Sequence, residues 1–360
     1  MNEEYYVGID YHKKYSTICI LDQNGSICKE ATIRPNSPKQ FESCFEALDG
    51  SVRVAYECGL NWGRLYDLLE ELDSVDEIVL VDAYKTRIIA QSQIKTDKID
   101  AYKLAWLLRG DLLPAIHIPN THTRQRREVI RQRMYWVKTR TRLRNRVHRI
   151  VERQHDLQMP RVTDLFGKKG KAALRKAVLP EPDQQLLQQD LRMLDLLDEH
   201  VRENEAQMKI EAQNDPDTQR IISIPGIGLT IGSVLAAEID GIERFRSPEQ
   251  LCAYAGLVPS TYSSGGKTRH GRMLHGANKW LKWGFIEAAW VAVGCSAYFG
   301  GLYRTHRERG KKANTAITIV ARRMCRIVWR LLKEKRCFEE ERKSTSGHLH
   351  HRLTESSRAA

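Results

Sequence analysis

The run Tyr5-Tyr6-Val7-Gly8-Ile9-Asp10 (YYVGID) is rich in β-forming residues and ends on a carboxylate. Two more runs of this kind follow it, STICILD at 16–22 and ICKEATIR at 27–34, and turn residues separate them. Short runs of β-branched and aromatic residues bounded by turn signals are typical of strands in hairpins. The opening of the chain therefore predicts an antiparallel meander of three strands.

Helix and strand signals alternate after this meander. Ser37-Pro38 begins a predicted helix that runs to Gly50, because serine caps helices and proline suits their first turn. The predicted elements that follow are the strand 52–57 (VRVAYE), the helix 61–72 (NWGRLYDLLEEL) and the strand 77–82 (EIVLVD). The order β-β-β-α-β-α-β-α is that of a ribonuclease H-like α/β domain, which we predict for residues 1–118.

Four acidic residues of this predicted domain are candidate metal ligands. Asp10 and Glu57 each end an apolar strand, and the two strands would be neighbours in this topology. Asp97 and Asp100 are three residues apart, so they share one face of a helix that Thr96 could cap. Carboxylate oxygens are the ligands that Mg²⁺ prefers, and Mn²⁺ accepts the same donors. The four acids therefore predict a site for one or two Mg²⁺ (or Mn²⁺) ions.

The alternative for any one of these acids is an ordinary surface position. An acidic pair three residues apart on a helix is by itself most often a surface feature. Asp82 also ends a predicted strand and competes for a place in the cluster, but it is better explained as the cap of a helix that begins near Ala83. The combination of acids at strand ends and on one helix face favours the metal site.

Residues 119–215 predict a helical region without strands. Between 124 and 153 the sequence has twelve Lys/Arg against two Glu, along with an approximate helical stripe of apolar residues. A second stripe has apolar residues spaced seven apart, at Leu187, Leu194, Val201 and Met208. We interpret the region as two long helices that form either an antiparallel pair or a dimerising coiled coil.

Basic residues exceed acidic ones in the whole chain, 58 Lys+Arg against 45 Asp+Glu, for a net charge of +13. This surplus favours a polyanionic partner, and the stretch 124–153 holds a charge close to the whole of it. The alternative is a spacer helix with solvated charges. Nucleic-acid contacts are predicted for these residues of the stretch: Arg124, Arg126, Arg127, Arg131, Arg133, Lys138, Arg140, Arg142, Arg144, Arg146 and Arg149.

Residues 216–343 predict a mostly helical C-terminal domain with two glycine-bearing loops, and residues 344–360 predict a disordered tail. The first loop, IPGIG at 224–228, has the pattern of a helix-hairpin-helix turn. In such a turn the backbone N–H groups of Gly226 and Gly228 approach a phosphate. A plain turn between two helices is the alternative.

The second loop, GLVPSTYSSGGK at 256–267, offers Ser263 and Ser264 as nucleophiles on an exposed turn that a phosphate can reach. An ordinary polar Ser/Gly turn is the alternative, and the residues alone do not choose between the two serines. The basic residues close behind are predicted nucleic-acid contacts: Lys267, Arg269 and Arg272. Lys267 and His270 are also candidates for a general base.

The eight cysteines are scattered and form no C-x-x-C pair, so neither a zinc site nor a disulfide framework is predicted. The N-terminal MNEEYY lacks the features of a signal peptide, and the uncharged run 288–303 is short and broken by glycines. These features predict a cytoplasmic protein with reduced thiols and no membrane partner.

Several motifs occur together in an order typical of one family. They are VGID (7–10), YE-x-G-x-x-W (56–62), KTDKIDA-x-x-LA (95–105), IPGIG (224–228), FRSPEQLCAYAGLVPSTYSSGGK (245–267) and GKKANTAITIVARR (310–323). Over about residues 5–335 the chain resembles the DEDD transposases of bacterial insertion sequences, whose N-terminal domain is similar to the RuvC resolvase. That group includes the Piv-type invertases and the bridge-RNA-guided recombinases.

The resemblance implies a function and a set of partners. It assigns the metal ligands to Asp10, Glu57, Asp97 and Asp100, and it implies that Ser264 attacks DNA to form a covalent phosphoserine link. The implied partners are target and donor DNA at the bacterial nucleoid and a noncoding guide (bridge) RNA. Because the acids and the serine lie on separate predicted domains, we expect a homodimer or homotetramer in which they meet across protomers. The alternatives are a RuvC-like junction nuclease without serine chemistry, and an inactive relative that only binds nucleic acid.

Overall fold

Five strands form a single mixed sheet near the N-terminus. They are β1 Glu3–Tyr11, β2 Ser16–Leu21, β3 Ile27–Ile33, β4 Gly50–Glu57 and β5 Glu77–Val81. Their order across the sheet is β3-β2-β1-β4-β5. β1, β2 and β3 are antiparallel neighbours, which confirms the predicted meander, and β4 pairs in parallel with both β1 and β5.

Four helices accompany this sheet. They are α1 Pro38–Phe45, α2 Trp62–Glu70, α3 Ala83–Ile89 and α4 Asp97–Arg109. The prediction that α1 continues to Gly50 was wrong, because Gly50 is the first residue of β4. It lies so close to β1 that an added Cβ would be 2.1 Å from the carbonyl oxygen of Glu3. α1 ends at Phe45, before the predicted end, because the chain has to enter the sheet at Gly50.

The structure is a computed structural model that describes residues 3–89, 96–154, 161–264, 266–273 and 276–339. It divides into two compact units, Met1–Pro119 and Asn120–Ala360. The first unit contains the five-stranded sheet. The tail at 344–360, for which the sequence predicts disorder, lies outside the described residues.

The second unit is mostly helical. Its helices are α5 Thr121–Glu152, α6 Lys168–Lys176, α7 Asp183–Asn214, α8 Pro216–Ile222, α9 Leu229–Ile239, α10 Pro248–Tyr254, α11 Lys279–Cys295, α12 Ala297–Glu308 and α13 Ala313–Lys333. Two short strands, β6 Pro259–Ser264 and β7 Lys267–Met273, form an antiparallel hairpin between α10 and α11.

The two long helices α5 and α7 pack against each other in antiparallel orientation. Ion pairs show the direction: Arg133 on α5 contacts Glu205 at 2.6 Å, whereas Arg140, about two turns further on, contacts the earlier Asp198 at 2.9 Å. The predicted stripe is buried within this single chain, at Leu187, Leu194, Val201 and Met208. Of the two arrangements that the sequence allowed, the structure has the antiparallel pair.

The helical pair and the C-terminal helices form one unit, without a boundary near residue 216. Ile130 of α5 and Met208 of α7 lie in one apolar cluster with Val234 and Ala237 of α9. Deeper in this unit, α9, α11 and α13 share a larger core that includes Phe285. Residues 120–215 and the helices after residue 216 thus belong to the same compact unit.

The helices α11 and α12 are apolar over much of their length. Phe285, Ala288 and Ala292 of α11 are fully buried in the core of the second unit. Within the described ranges, no single helix is both long and apolar enough to cross a membrane. α11 and α12 pass that test only as a pair, and the pair is bent by 101°.

The central strand β1 is covered on both faces, and alternation along it decides which residues meet α4. Val7 and Ile9 lie in the core on one side of the sheet, whereas Tyr6 lies with Ala101 and Leu104 of α4 on the other. Because successive side chains point to opposite faces, Asp10 is on the same face as Tyr6. The strand therefore directs its terminal carboxylate toward the α4 side.

Gly8 allows α4 to lie directly on β1. A Cβ at this position would be 2.0 Å from the carbonyl oxygen of Ala101 and 2.5 Å from the amide nitrogen of Ala105. Both neighbours are backbone atoms of α4, so no side-chain rotation relieves the contact. Only glycine permits this distance between the strand that carries Asp10 and the helix that begins at Asp97.

Replacing Gly8 with alanine is predicted to displace α4 from the sheet. Overpacking of this kind typically costs about 1–3 kcal/mol, and here it falls on backbone contacts. We expect the Gly8→Ala chain to show faster amide hydrogen exchange in α4 than the unaltered chain, measured by mass spectrometry on the full-length protein.

Gly59 provides the matched control for this substitution. It is exposed, and nothing lies within 4 Å of an added Cβ there. Gly59→Ala should leave exchange in α4 unchanged. Equal exchange in α4 for the two variants would contradict the role assigned to Gly8.

Candidate metal centre and serine hairpin

The start of α4 presents two acids at the edge of the sheet. Thr96 is the N-cap, and its side-chain oxygen accepts a hydrogen bond from the Ile99 amide at 3.3 Å, as the sequence predicted. Asp97 and Asp100 lie in the first turn, where carboxylates interact favourably with the helix dipole. The cap thus determines where the helix, and with it Asp97, begins.

Asp10, Asp97 and His12 converge on one point. The Nε2 atom of His12 lies 3.2 Å from Oδ2 of Asp10 and 3.5 Å from Oδ2 of Asp97. One ligand atom from each of the three residues lies within 4.8 Å of the others. The His12 Nε2 atom is shielded from solvent and has no hydrogen bond of good geometry, despite these near neighbours.

This donor set fits a divalent cation. Two carboxylates supply hard oxygen ligands of the kind that Mg²⁺ and Mn²⁺ prefer, and an imidazole nitrogen is a further ligand that transition metals accept. An ion at the common point would also give a partner to the orphaned nitrogen of His12. The residues present therefore suit a magnesium or manganese ion.

The turn between β1 and β2 holds His12 in place. The backbone N–H of His12 donates to the carbonyl oxygen of Tyr15, and the side chain of Asn36 donates to the carbonyl oxygen of His12 at 2.7 Å. The Tyr15 hydroxyl donates to Oδ2 of Asp97 at 2.9 Å, and its ring lies 4.8 Å from the His12 ring. Tyr15 thus positions one acid and contacts the imidazole at the same time.

Sequence reasoning did not identify His12 or Tyr15. For His12 a signal was available in the spacing D-x-H at 10–12, because alternation puts the residue two positions after Asp10 on the same side of an extended chain. What the sequence could not provide was the approach of α4, which brings Asp97 to both.

Electrostatics at the site favour the binding of a cation. Burial raises the pKa of Asp10, the nearby His12 opposes this, and the carboxylates of Asp97 and Asp100 raise the pKa further. The hydrogen bond to Asp97 raises the pKa of the Tyr15 hydroxyl. Clustered negative charge of this kind is relieved either by a proton or by a metal ion. Metal affinity should therefore fall as the pH falls through the raised pKa of Asp10.

Glu57 and Asp100 lie near this group but outside it. Glu57 is the exposed last residue of β4 and follows the pair Ile9–Tyr56, so it stands beside Asp10 at the ends of two parallel strands. Asp100 lies one turn after Asp97, with the Lys103 Nζ atom 4.0 Å away. Among the described residues, the close group contains two of the four predicted acids together with His12.

Asp82 has the capping role that the sequence favoured for it. Its Oδ1 atom accepts hydrogen bonds from the amides of Tyr84 at 3.0 Å and Lys85 at 3.2 Å, in the first turn of α3. The carboxylate is thereby committed to the helix end, and Asp82 is not a member of the close acidic group.

The predicted serine loop forms a β-hairpin instead of an irregular loop. Ser263 pairs with Thr268 and Ser264 with Lys267 across β6 and β7, and both serines are exposed. The prediction was wrong because it gave weight to the glycines and too little to Thr261 and Tyr262, which favour strands. Gly266, with a positive φ of 73°, lies directly before β7.

Alternation along β6 separates the two serines. Ser263 and Ser264 are adjacent in a strand, so their side chains point to opposite faces of the hairpin. Ser264 shares its face with Tyr262, and Tyr262 pairs directly across the hairpin with Arg269. Tyr262 is 69% exposed and Arg269 is exposed. Ser264 is therefore the serine on the face that carries an exposed aromatic ring and a guanidinium group.

The glycines of IPGIG have different surroundings. Gly226 has a positive φ of 90°, and a Cβ there would be 2.6 Å from the backbone of Ala288 and of Ala292 in α11. Internal packing therefore explains Gly226 without a ligand. Gly228 is the exposed N-cap of α9, with nothing within 4 Å of an added Cβ. A turn joins α8 to α9 at this point, and Gly228 is its accessible member.

Most arginines of the basic helix α5 have partners within the protein. Acidic residues of α7, α9 and the α7–α8 junction form ion pairs with Arg126, Arg127, Arg131, Arg133, Arg140, Arg144 and Arg146. Glu238 of α9 is 5% exposed and accepts contacts from both Arg127 and Arg131. Lys138 lies over the ring of Trp280, and Arg142 and Arg149 are exposed. Much of the charge on α5 is thus compensated internally.

The sequence matches two models of transposase families. A DEDD transposase model of the IS110 group matches residues 7–155, and a model described as transposase of the IS116/IS110/IS902 family matches residues 218–304. The first match spans the acidic group and the basic helix. The second spans the turn before α9 and the serine hairpin.

Full-length relatives carry the same description. A protein named probable family 20 transposase from Pseudomonas aeruginosa is 26% identical, over 92% of this chain and 98% of its own length. A putative transposase from Sinorhizobium fredii is 24% identical, over 92% of this chain and 90% of its own length. A transposase for insertion sequence element IS1328 from Yersinia enterocolitica is 25% identical, over 66% of this chain and 72% of its own length.

The mixed sheet, the acidic group at its edge and these matches define a DEDD-type transposase. Within that class, the chain belongs to the IS110 family of insertion-sequence transposases.

Removing the imidazole of His12 is predicted to weaken metal binding. His12→Ala should raise the Kd for Mn²⁺ at least about 10-fold to 100-fold, because the loss of a group that only supports a ligand already has an effect of that size. The Kd for Mg²⁺ should change less, because imidazole suits transition metals better than magnesium. Mn²⁺ binding is measured by electron paramagnetic resonance, and Mg²⁺ by calorimetry, on the full-length chain.

His122 offers a matched control, since it is an exposed histidine on α5 with Glu211 3.4 Å away. His122→Ala should bind Mn²⁺ as the unaltered chain does. If His12→Ala and His122→Ala bind Mn²⁺ equally tightly, His12 is not a ligand.

Proposed function

We propose that the protein is a DNA transposase that cuts and rejoins strands with a divalent metal and a covalent phosphoserine intermediate. The observation that carries the proposal is the convergence of Asp10, His12 and Asp97 in a chain of a transposase family. The exposed serine hairpin supplies a nucleophile of the kind that rejoining requires.

The N-terminal unit has the characteristics of an RNase H/RuvC-like catalytic domain. In support, three antiparallel strands are followed by two parallel ones in the order β3-β2-β1-β4-β5. Acids at the ends of β1 and β4 and at the start of α4 lie where such a domain would bind metal. The helix-hairpin-helix assignment for the α8–α9 turn rests on the exposed N-cap Gly228.

Asp10, His12 and Asp97 would hold one divalent ion, with Glu57 and Asp100 available for water or a second ion. When bound, Mg²⁺ or Mn²⁺ would neutralise charge on the phosphate and stabilise the entering and leaving oxygens. Tyr15 would keep the Asp97 carboxylate oriented through its hydrogen bond.

Ser264 would conserve the energy of the cut phosphodiester bond. Its Oγ attacks the phosphorus, a P–O bond to one strand end breaks, and that end leaves as a hydroxyl after gaining a proton. The serine loses its proton to a general base, for which Lys267 and His270 are the sequence candidates. A hydroxyl from another strand then attacks the phosphoserine and releases the serine, so hydrolysis is not needed.

The hairpin register favours Ser264 over Ser263 in this role. Ser264 shares a face with Tyr262 and Arg269. Arg269 can hold a phosphate by charge-assisted hydrogen bonds, and Tyr262 can stack on a base beside it. The acids belong to the first unit and the serine to the second. Assembly as a dimer or tetramer would allow one protomer to complete the site of another.

Substitution of the two serines distinguishes them. Ser264→Ala should lower excision and insertion of the native element by about 10³-fold or more, as expected when a covalent nucleophile is removed. Ser263→Ala should retain activity within about tenfold of the unaltered protein. Both are measured in cells by amplification across the new DNA junctions, with a covalent protein–DNA adduct on denaturing gels as the second readout.

The same experiment tests the alternative of a RuvC-like nuclease. If Ser264→Ala still cuts DNA and forms no adduct, while Asp10→Ala does not cut, the protein is a metal-dependent nuclease and the phosphoserine step is wrong. An inactive binding relative would show no cutting by the unaltered chain either.

Guidance by a noncoding RNA is part of the proposal. The basic character of the chain suits an RNA or a DNA backbone equally. We expect purification of the protein from cells that carry the whole element to recover one discrete RNA encoded beside its gene. Sequencing of the bound nucleic acid measures this, and recovery of heterogeneous DNA without such an RNA contradicts guidance.

A further inference from the structure

A second group of cations lies at the turn between α12 and α13. It consists of Arg304, Arg307, Arg309, Lys311 and Lys312, which we call the turn cluster, and all five are exposed. Within 304–312 the only acid is Glu308. The described part of the chain places no carboxylate in an ion pair with any of the five.

This lack of internal partners distinguishes the turn cluster from α5. On α5 an arginine such as Arg140 is paired with an acid of α7, so its charge is compensated where it stands. An ion-paired arginine has to give up its carboxylate partner before it binds a phosphate, which reduces the free energy gained on binding. An exposed cation without a carboxylate nearby releases a counterion from the nucleic acid at no such cost.

The turn itself is ordered by the backbone and by one of its cations. Gly310 has a positive φ of 76°, and the Lys311 amide donates to the carbonyl oxygen of His306. The Arg307 guanidinium donates to the carbonyl oxygen of Lys311 at 2.8 Å. These contacts hold Arg309, Lys311 and Lys312 in a defined arrangement at the exposed end of two helices.

The first turn of α13 adds to the positive potential. Lys312 is its N-cap and offers no side-chain cap, and the first turn contains no acid. Asn314 and Thr315 there are exposed polar residues. Free backbone N–H groups at a helix start favour anions, and here they adjoin the cations of the turn cluster.

We propose that the turn cluster binds the phosphate backbone of duplex nucleic acid. The inference rests on the proposed function only in taking the polyanion to be nucleic acid. A duplex is favoured because the stretch 304–315 contains no Phe, Tyr or Trp, the side chains whose large rings stack best on an unpaired base. The predicted contacts on α5 would then be secondary, limited to exposed members such as Arg142 and Arg149.

The test is the salt dependence of binding to a short labelled DNA duplex and to an RNA duplex of the same sequence. The full-length chain is used with EDTA present, so that no strand is cut, and affinity is measured by fluorescence anisotropy. Each lost phosphate contact lowers the slope of log K against log salt by about 0.9 on B-DNA. The triple substitution Arg309→Gln, Lys311→Gln, Lys312→Gln should therefore lower the slope by about two to three.

The matched control removes the same charge elsewhere. Lys168, Lys169 and Lys176 are exposed on α6, and their replacement by glutamine should leave the slope within about 0.5 of the unaltered chain. A charge-preserving triple, Arg309→Lys, Lys311→Arg, Lys312→Arg, should have the slope of the unaltered chain. It shows whether the effect of the glutamine triple comes from lost charge or from altered folding. A loss seen with one duplex and not the other identifies which duplex the cluster contacts.

If the two glutamine triples give equal slopes with the DNA duplex and also with the RNA duplex, the proposal is overturned. The same titration with one labelled strand of that DNA tests the duplex assignment: if the glutamine triple at the turn cluster lowers the slope only with the single strand, the duplex assignment is wrong. Neither result depends on strand transfer. The proposal for Ser264 can therefore be wrong while the proposal for the turn cluster is right, and the reverse also holds.

Discussion

The close approach of α4 to β1 at Gly8 is the contact on which the candidate metal centre depends. Backbone atoms of Ala101 and Ala105 occupy the space that a side chain at position 8 would need. Asp10 is two residues further along the strand, and Asp97 begins the helix. A separation larger by the width of one methyl group would move the two carboxylates apart, because strand and helix are both rigid. One glycine thus determines whether the acids form a group or remain two surface charges.

Charge in the second unit serves two different purposes. The α5–α7 pair uses opposite charges to hold two long helices in register, and a nearly buried Glu238 joins α5 to α9 through two arginines. Removing one partner from such a contact leaves an uncompensated charge, which costs more than the pair contributes. The turn cluster has no such role and leaves its charge to solvent or to a ligand. The net charge of the chain is therefore a poor guide to where a polyanion binds.

The sequence predicted those features that depend on local pattern. The meander β1–β3, the Thr96 cap and the two long helices follow from residue types and their spacing. Local sequence pattern does not predict contacts between segments that are distant in the chain. The spacing of His12 after Asp10 does not show that α4 brings Asp97 to both of them. The acids that neutralise Arg133 and Arg140 lie 72 and 58 residues further along the chain. The β6–β7 hairpin was missed because glycine and serine suit both a loop and a tight connection between strands.

The central claim is that Asp10, His12 and Asp97 together bind a divalent metal ion. The most direct measurement is a crystal structure of the full-length protein with Mn²⁺, with data collected at a wavelength where manganese scatters anomalously. We expect an anomalous peak at ordinary coordination distance, about 2.0–2.3 Å, from a carboxylate oxygen of Asp10, a carboxylate oxygen of Asp97 and Nε2 of His12. An anomalous peak that leaves out Asp10 and Asp97, or no peak between them at saturating Mn²⁺, would contradict it.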